Sequence, residues 1–345
     1  MEPTSIPAPS GDAPRARVLS LGAGPQSGTL LLLAAQGKIR RFDAAIWADT
    51  GWQPAAVYEH FARLTQLGED AGIPVRRVTG GDIRTDALDP GHRFASMPLW
   101  YRSQAGSDGA GRRQCVSEYK ARPIKAAIRE LLGFPPPARV RPGIFAELSV
   151  AITADETSRA RQPGVRYLRY AYPLAELGWS TSDCVKYMLG HGFSQFPSAS
   201  CLGCPLHGDR WWARLRDTSP AEWADVVAFD HAIRHGYPRI TEQGQPLNGT
   251  YYLHESRQPL DQADIGDGED GQPPAAIAAG NDAPGGCSPW AAPLAARVPQ
   301  RKQPVPLARR ASRPPRTRNA ATRAWEIFRR FRRNSRGKHA AQGRS

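Results

Sequence analysis

The sequence predicts an α/β protein built on a doubly wound parallel sheet. Short strand-like runs lie near residues 17–22, 43–48, 74–79 and 144–152. Helical patterns of apolar residues separate these runs. Such an alternation is typical of a parallel sheet with helices on both faces. After the last of these runs the pattern becomes purely helical, which predicts a small C-terminal helical subdomain.

The first strand ends in a stretch of glycine and serine, Ser20-Leu-Gly-Ala-Gly-Pro-Gln-Ser27, and a helix pattern follows it. Glycine lets a backbone turn sharply and approach a ligand closely. The start of a helix presents unpaired N–H groups that hold anions. The stretch therefore predicts a phosphate-binding loop, although a purely structural turn has a similar composition. The residues expected to bind the nucleotide here are Ser20, Gly22, Gly24, Gln26 and Ser27.

The second strand ends in Asp49-Thr50-Gly51-Trp52. An acid at the carboxyl end of the neighbouring parallel strand can reach a ribose or an adenine edge, so Asp49 and Thr50 are expected to contact the nucleotide. The alternative is that Asp49 caps the helix that begins near Pro54.

The segment 80–114 is rich in glycine, arginine and serine and is expected to be a long loop that acts as a substrate lid. A helix is expected over 121–132, closed by Gly133. Lys120, at the start of this helix, is a candidate contact for an anionic substrate.

Two acids follow the fourth apolar run, Asp155 and Glu156, with Arg159 one helical turn further on. Their position at the end of a strand predicts Mg2+ or substrate positioning beside a triphosphate, with Arg159 on a phosphate. A surface ion pair is the alternative.

Cys201 and Cys204 form a Cys-x-x-Cys turn, which can direct two thiolates at one ion. Together with Cys115 and Cys184 they are candidates for a four-thiolate site, which suits either an iron–sulfur cluster or zinc. A redox pair is a further alternative for the turn, and Cys184 on a helix could be a small buried apolar residue. His207 is expected to contact substrate or to support the site rather than to bind metal.

The motifs as a set resemble a known superfamily over roughly residues 17–260. Ser-x-Gly-x-Gly-x-x-Ser followed by Ala-Asp-Thr-Gly-Trp is similar to the PP-loop ATP pyrophosphatases, or adenine nucleotide α-hydrolases. The narrower resemblance is to the bacterial and phage branch of phosphoadenosine phosphosulfate reductase-like proteins. It continues through Arg-Gln-Cys at 113–115, Ala-Asp-Glu at 154–156 and Ser-Cys-Leu-Gly-Cys-Pro at 200–205.

This resemblance implies an enzyme that uses ATP with Mg2+. A substrate oxygen would attack the α-phosphorus of ATP and form an adenylated intermediate, in sulfur transfer or a related modification. The resemblance favours a 4Fe-4S cluster over zinc. One alternative is a sulfonucleotide reductase acting on phosphoadenosine phosphosulfate (PAPS), although the chain lacks the Glu-Cys-Gly-Leu-His nucleophile of those enzymes. The other is a nucleotide- and cluster-binding defence or sensor protein without turnover.

Composition divides the chain into four parts. The sequence predicts a disordered N-terminus over 1–16, the nucleotide-binding α/β domain over 17–178, a helical cysteine-containing subdomain over 179–262 and a low-complexity basic tail over 263–345. Most of the net charge of +14 lies in the tail, because residues from 265 onward hold 16 Lys and Arg against five Asp and Glu. Residues 321–333 form either a basic amphipathic helix or part of a solvated tail.

The remaining expectations concern location and partners. No apolar run approaches the ~20 residues of a membrane span, and the N-terminus lacks the pattern of a signal peptide. A cytoplasmic protein is therefore expected, in which five cysteines favour metal binding or catalysis over disulfides. Expected partners are a nucleotide and either a tRNA or DNA acceptor or a sulfur donor protein. The sequence is also compatible with a homodimer.

Overall fold

A computed structural model describes residues 13–92, 95–103, 106–161, 163–194, 196–197, 200–236, 249–266 and 288–290. Most of the N-terminal segment predicted to be disordered lies outside the described residues. So do Cys287 and the segment 321–333, for which a basic amphipathic helix and a solvated tail were the two expectations.

Five strands form a parallel sheet: β1 (Ala16–Ser20), β2 (Ala44–Asp49), β3 (Val75–Thr79), β6 (Ala146–Ser149) and β7 (Leu168–Ala171). Three more form an antiparallel sheet: β4 (Trp100–Ser103), β5 (Asp108–Ala110) and β8 (Gly249–Tyr252). The α-helices of the described part are α1 (Pro25–Ala35), α2 (Ala55–Asp70), α3 (Ile83–Leu88), α4 (Arg122–Leu131), α5 (Pro173–Glu176), α6 (Thr181–Gly190), α7 (Asp209–Thr218) and α8 (Pro220–Ala232). None of the helices that the structure describes is both long and apolar enough to cross a membrane.

The parallel sheet has the strand order β3-β2-β1-β6-β7. The chain builds outward from β1 to β3 and then crosses back to add β6 and β7 on the other side of β1. The order therefore reverses between β1 and β6, where loops leaving the carboxyl ends of the two strands open a crevice. The predicted α/β class with a helix-flanked parallel sheet is confirmed. The strand β7 was not predicted, because it has only four residues of mixed type, three of them half-exposed, and gives no clear local pattern.

Each face of the sheet is covered by its own core. On one face α1, α2 and α6 pack over Leu19 and Trp47, and on the other α4 packs over Val18, Ile46 and Leu148. The boundary predicted at residue 179 falls just before α6, yet α6 shares its core with α1 and α2. The described structure therefore has no break in packing at that position.

The segment 80–114, expected to be a long loop, contains α3, β4 and β5. β4 lies between β5 and β8 in the antiparallel sheet. A Cβ atom at Gly109 would lie 2.5 Å from the Tyr101 ring, so this glycine permits the close pairing of β4 with β5. At least one glycine of this loop-like composition is thus needed for strand pairing, and the other partner of β4, the strand β8, lies almost 150 residues further along the chain.

The helix predicted over 121–132 is longer and less regular than expected. It opens with a π-helix over Val116–Ala121, continues as α4 and ends at Gly133, whose φ of 82° suits a glycine. π-Helical turns are rare and occur often at functional sites. This one begins directly after Cys115.

Two residues beyond position 263 are part of the packed structure. Ile265 is 8% exposed in the core that contains α7 and α8, and Trp290 is 2% exposed in the core beneath α4. The predicted low-complexity tail over 263–345 therefore includes residues that the fold buries. An isolated tryptophan in a Pro/Ala/Gly-rich stretch gives no periodic pattern, so the sequence could not place it.

Candidate functional site

The candidate phosphate loop leaves β1 at the point where the strand order reverses. The hydroxyl of Ser27 holds the shape of the loop. It accepts a hydrogen bond from the Gly22 amide (3.0 Å), and it can donate to the Gly22 carbonyl (2.9 Å) or to the Gly24 carbonyl (3.2 Å). The Ser27 side chain is buried. The loop is therefore preformed by a side chain that lies beneath it.

Gly22 and Gly24 do not have left-handed backbone conformations, in contrast to the sharp turn expected. Gly24 has φ −79° and ψ 159°, which most residues can adopt. A Cβ at Gly22 would meet only the Ser27 hydroxyl, at 3.6 Å, and one at Gly24 only Gln26 Oε1, at 3.1 Å. These glycines therefore keep space open above the loop, which is what a bound phosphate requires.

Helix α1 begins at Pro25, which has no N–H group. The Gly28 amide already donates to the Gly24 carbonyl (3.3 Å), and a Cβ on Gly28 would lie 2.7 Å from Met188 Cε. Gly28 therefore serves helix packing. The first-turn amides of Gln26 and Ser27 have no acceptor within the helix and are the ones available to an anion.

Asp49 closes β2 and is 1% exposed. Its Oδ1 accepts from the Gly51 amide (2.9 Å) and the Tyr58 hydroxyl (3.2 Å), and its Oδ2 is paired with Arg77. The carboxylate thus shapes the loop after β2. It does not cap α2, which follows Pro54 without a side-chain cap.

The cysteine turn lies against this same loop. Thr50 Oγ1 and Cys201 Sγ are 3.0 Å apart, and the Leu202 amide donates to the Trp52 carbonyl (2.9 Å). Gly203 is so close to the Trp52 ring that an added Cβ would lie 2.1 Å from it. Tertiary packing thus joins the Cys-x-x-Cys turn to the predicted nucleotide residue Thr50.

Gln53, which the sequence reasoning missed, completes this contact. Its Nε2 donates to Thr50 Oγ1 (2.9 Å), while its buried Oε1 has no hydrogen-bond partner among the described residues. A glutamine three residues after Thr50 carries no distinctive signal, and only the structure shows that its amide lies beside the cysteine turn.

His207 supports the turn from within. Its Nε2 lies 2.9 Å from the Cys201 carbonyl, its amide donates to the Cys204 carbonyl (3.1 Å), and its ring stacks on Trp211 at 3.3 Å. The predicted supporting role therefore fits this geometry.

The four candidate cysteines do not lie in one core. Cys201 and Cys204 are buried in the core of α7 and α8, and Cys115 packs against the same cluster. Cys184 belongs to α6, is 0% exposed and lies in the separate core that α6 shares with α1 and α2. Burial raises the pKa of the Cys184 thiol to about 12, so it stays protonated at neutral pH. Within the described ranges, no three His, Cys, Asp or Glu side chains are grouped to hold a metal ion.

The loop after β6 presents the predicted acids at the crevice. Exposed Asp155 accepts from the Thr181 amide (3.1 Å) at the start of α6. Glu156 pairs with Arg159 in a 3-10 helix over Ala154–Arg159, and both side chains are nearly nine-tenths buried or more. The ion pair considered from the sequence is thus present, but it is buried rather than on the surface.

Lys120 lies in the π-helix and is 9% exposed. The preceding residue, Tyr119, donates its hydroxyl to Asp86 Oδ2 (2.7 Å), which ties the π-helix to α3. The lysine is therefore set on a braced element rather than on a free loop.

A comparison with models of known protein families finds no match for this chain, and a comparison with curated proteins finds none of significant similarity.

Proposed function

We propose that this protein is an ATP-dependent adenylating enzyme, a PP-loop pyrophosphatase that activates an acceptor through its α-phosphate chemistry. The observation that carries the proposal is the 3.0 Å contact between Thr50 and Cys201, because it joins a cysteine pair to the strand edge that holds the candidate phosphate loop. A nucleotide loop and a soft donor pair at one edge of a sheet suit adenylation followed by sulfur transfer or a related modification.

In the proposed reaction the loop of Gly22, Gly24 and Ser27 holds the β- and γ-phosphates of ATP. An acceptor oxygen attacks the α-phosphorus, the bond to the β-phosphate oxygen breaks and pyrophosphate leaves. A second nucleophile then displaces AMP from the acceptor. Positioning and charge neutralisation supply most of the rate in such a step, with Lys120 and Arg159 as the proposed cationic contacts.

Mg2+ would neutralise the charge of the departing pyrophosphate. Asp155 is the exposed carboxylate after β6 that suits this ion, whereas Glu156 already pairs with Arg159. The acceptor is a nucleic acid or a small molecule, and a sulfur donor protein would serve the second step.

The cysteines that suit a metal centre are Cys115, Cys201 and Cys204, because they pack in one cluster and offer soft thiolate ligands. They are not drawn into a three-ligand group in this structure. A 4Fe-4S cluster held by them, with zinc as the alternative, would supply sulfur or redox chemistry. Cys184 fits packing better, since its raised pKa disfavours the thiolate that metals bind.

Metal content tests this assignment. Protein purified anaerobically is expected to hold iron and acid-labile sulfide, and Cys201→Ser and Cys204→Ser should lose most of both because each removes a proposed ligand. Iron analysis with visible absorbance provides the measurement. Cys184→Ala is the matched control and should keep the metal. Loss in the Cys184 variant with retention in the other two would contradict the assignment.

Pyrophosphate release tests the reaction. Ser27→Ala removes the hydroxyl that shapes the loop and is expected to lower kcat/KM for pyrophosphate release about a hundredfold, which corresponds to about 2.7 kcal/mol. The control is Thr65→Ala, which deletes a hydroxyl bonded to the Phe61 carbonyl (2.9 Å) within α2, away from the loop.

The assay is run with ATP and with PAPS, against tRNA, DNA and small acceptors. Sulfite release from PAPS with a thiol donor would favour a sulfonucleotide reductase instead. Tight ATP binding with no pyrophosphate release under any condition would favour a non-catalytic sensor.

A further inference from the structure

Trp290 is buried in the core that α4 shares with the parallel sheet. Its ring is 2% exposed and packs edge-on against Tyr170 of β7, with a centroid separation of 5.8 Å. Lys125 of α4 places its Nζ 5.9 Å from the centre of the same ring. The indole is thus held between α4 and the sheet, in the core that also contains Val150 and Ile152 after β6.

The polar edge of this indole reaches the candidate phosphate loop. Trp290 Nε1 donates a hydrogen bond of 2.7 Å to the hydroxyl oxygen of Ser20, which closes β1 and opens the loop. Ser20 is 270 residues distant in sequence, so this contact is purely tertiary. The buried indole N–H group of Trp290 therefore donates its hydrogen bond to Ser20, the first residue of the loop.

The hydrogen bond from Trp290 also limits which further hydrogen bonds the Ser20 hydroxyl can make. A hydroxyl offers one donor and two acceptor sites, and the indole N–H occupies one acceptor site. Among the described residues the Ser20 hydroxyl donates to no other group. Its own hydrogen therefore remains available for an acceptor such as a phosphate oxygen, while its rotamer is fixed by the indole.

We propose that Trp290 is a positioning residue of the nucleotide site, which holds the Ser20 hydroxyl as a hydrogen-bond donor toward a polyphosphate. This inference rests on the proposed function, because it assigns a nucleotide phosphate to the loop. It also makes Trp290, which lies within the predicted tail, part of the site. The residue acts through Ser20 and touches no reacting atom.

The test uses the full-length chain and the variants Trp290→Phe and Ser20→Ala, alone and combined. Phenylalanine keeps a ring between Tyr170 and Lys125 but removes the N–H group. Dissociation constants for Mg2+–ATP and for inorganic pyrophosphate are measured by calorimetry, and the thermal midpoint of each variant is measured by circular dichroism. Binding is compared well below the lowest midpoint.

Trp290→Phe is expected to weaken both ligands about tenfold, the size of one charge-assisted hydrogen bond. In the Ser20→Ala background the same substitution should have almost no further effect on binding, because the hydroxyl it positions is gone. The matched control, Trp100→Phe, removes another buried indole bond, to the Pro205 carbonyl (2.8 Å), and should leave both constants unchanged.

A lower thermal midpoint for Trp290→Phe with unchanged dissociation constants would overturn the inference, since the residue would then be structural only. Equal weakening in both backgrounds would also overturn it, because Trp290 would not act through Ser20. If the natural sequence binds neither ligand, the loop is not an anion site and the inference falls. ATP binding without pyrophosphate release counts against the proposed activity alone, and the ratios of dissociation constants then still decide the role of Trp290.

Discussion

Gly22→Ala is expected to fold normally and to bind ATP at least about a hundredfold more weakly than the natural sequence. The new Cβ would meet only the Ser27 hydroxyl, at an ordinary 3.6 Å, and Gly22 does not have a left-handed backbone. The folded state therefore gains no clash, and its stability should change by no more than about 0.5 kcal/mol. The methyl group instead enters the space proposed for a phosphate.

Calorimetric titration with Mg2+–ATP measures the binding, and urea unfolding measures the stability. Gly164→Ala is the control, because Gly164 likewise has open space around its Cβ position and no left-handed backbone, but is an exposed residue in the connection before β7. If Gly22→Ala binds ATP with natural affinity, the open space above the loop does not hold phosphate.

Asp230→Ala should be the most destabilising single substitution considered for this chain, with a loss of about 3–5 kcal/mol. Asp230 is 0% exposed, and its carboxylate accepts from the amides of Leu253 (2.8 Å) and Leu260 (3.0 Å) and pairs with Arg234. Alanine leaves these donors and the largely buried Arg234 charge without their acceptor. The segment around β8 should then detach from the core of α7 and α8.

Urea unfolding followed by circular dichroism gives the change in the free energy of unfolding. Asp217→Ala is the matched control: its ion pair with Arg216 is 59% exposed on the aspartate side and should contribute less than about 1 kcal/mol. Similar losses in the two variants would show that Asp230 does not organise the segment.

The sequence predicted those helices and strands whose own residues form a local pattern. Strand-like runs with helices between them predicted four of the strands of the parallel sheet, and β2 gave the clearest of these signals because it is buried along its whole length. The edge strand β7 and the pairing of β4 with β8 were missed. β7 and β4 are strands of only four mixed residues, and β8 lies too far along the chain for local periodicity to reveal its pairing with β4.

The candidate site was likewise predicted only in part from local patterns. Ser27 was recognised from its place in a Gly/Ser turn, and the structure adds that its hydroxyl shapes the loop from below. Cys184 was a candidate ligand with a small buried apolar residue as the alternative, and the structure buries it in a different core from Cys201. Burial, unlike residue type, depends on which helix faces pack together.

The chain by itself determined the α/β class, the loop that ends β1 and the candidate acids and cysteines, because these depend on residue type and short spacing. Only the tertiary structure decided that the cysteine turn lies on Thr50, that Asp230 anchors the segment around β8, and that Trp290 bonds Ser20. Those contacts join residues from 23 to 270 positions apart. Their free energy comes from burying matched polar groups together, which no local pattern encodes.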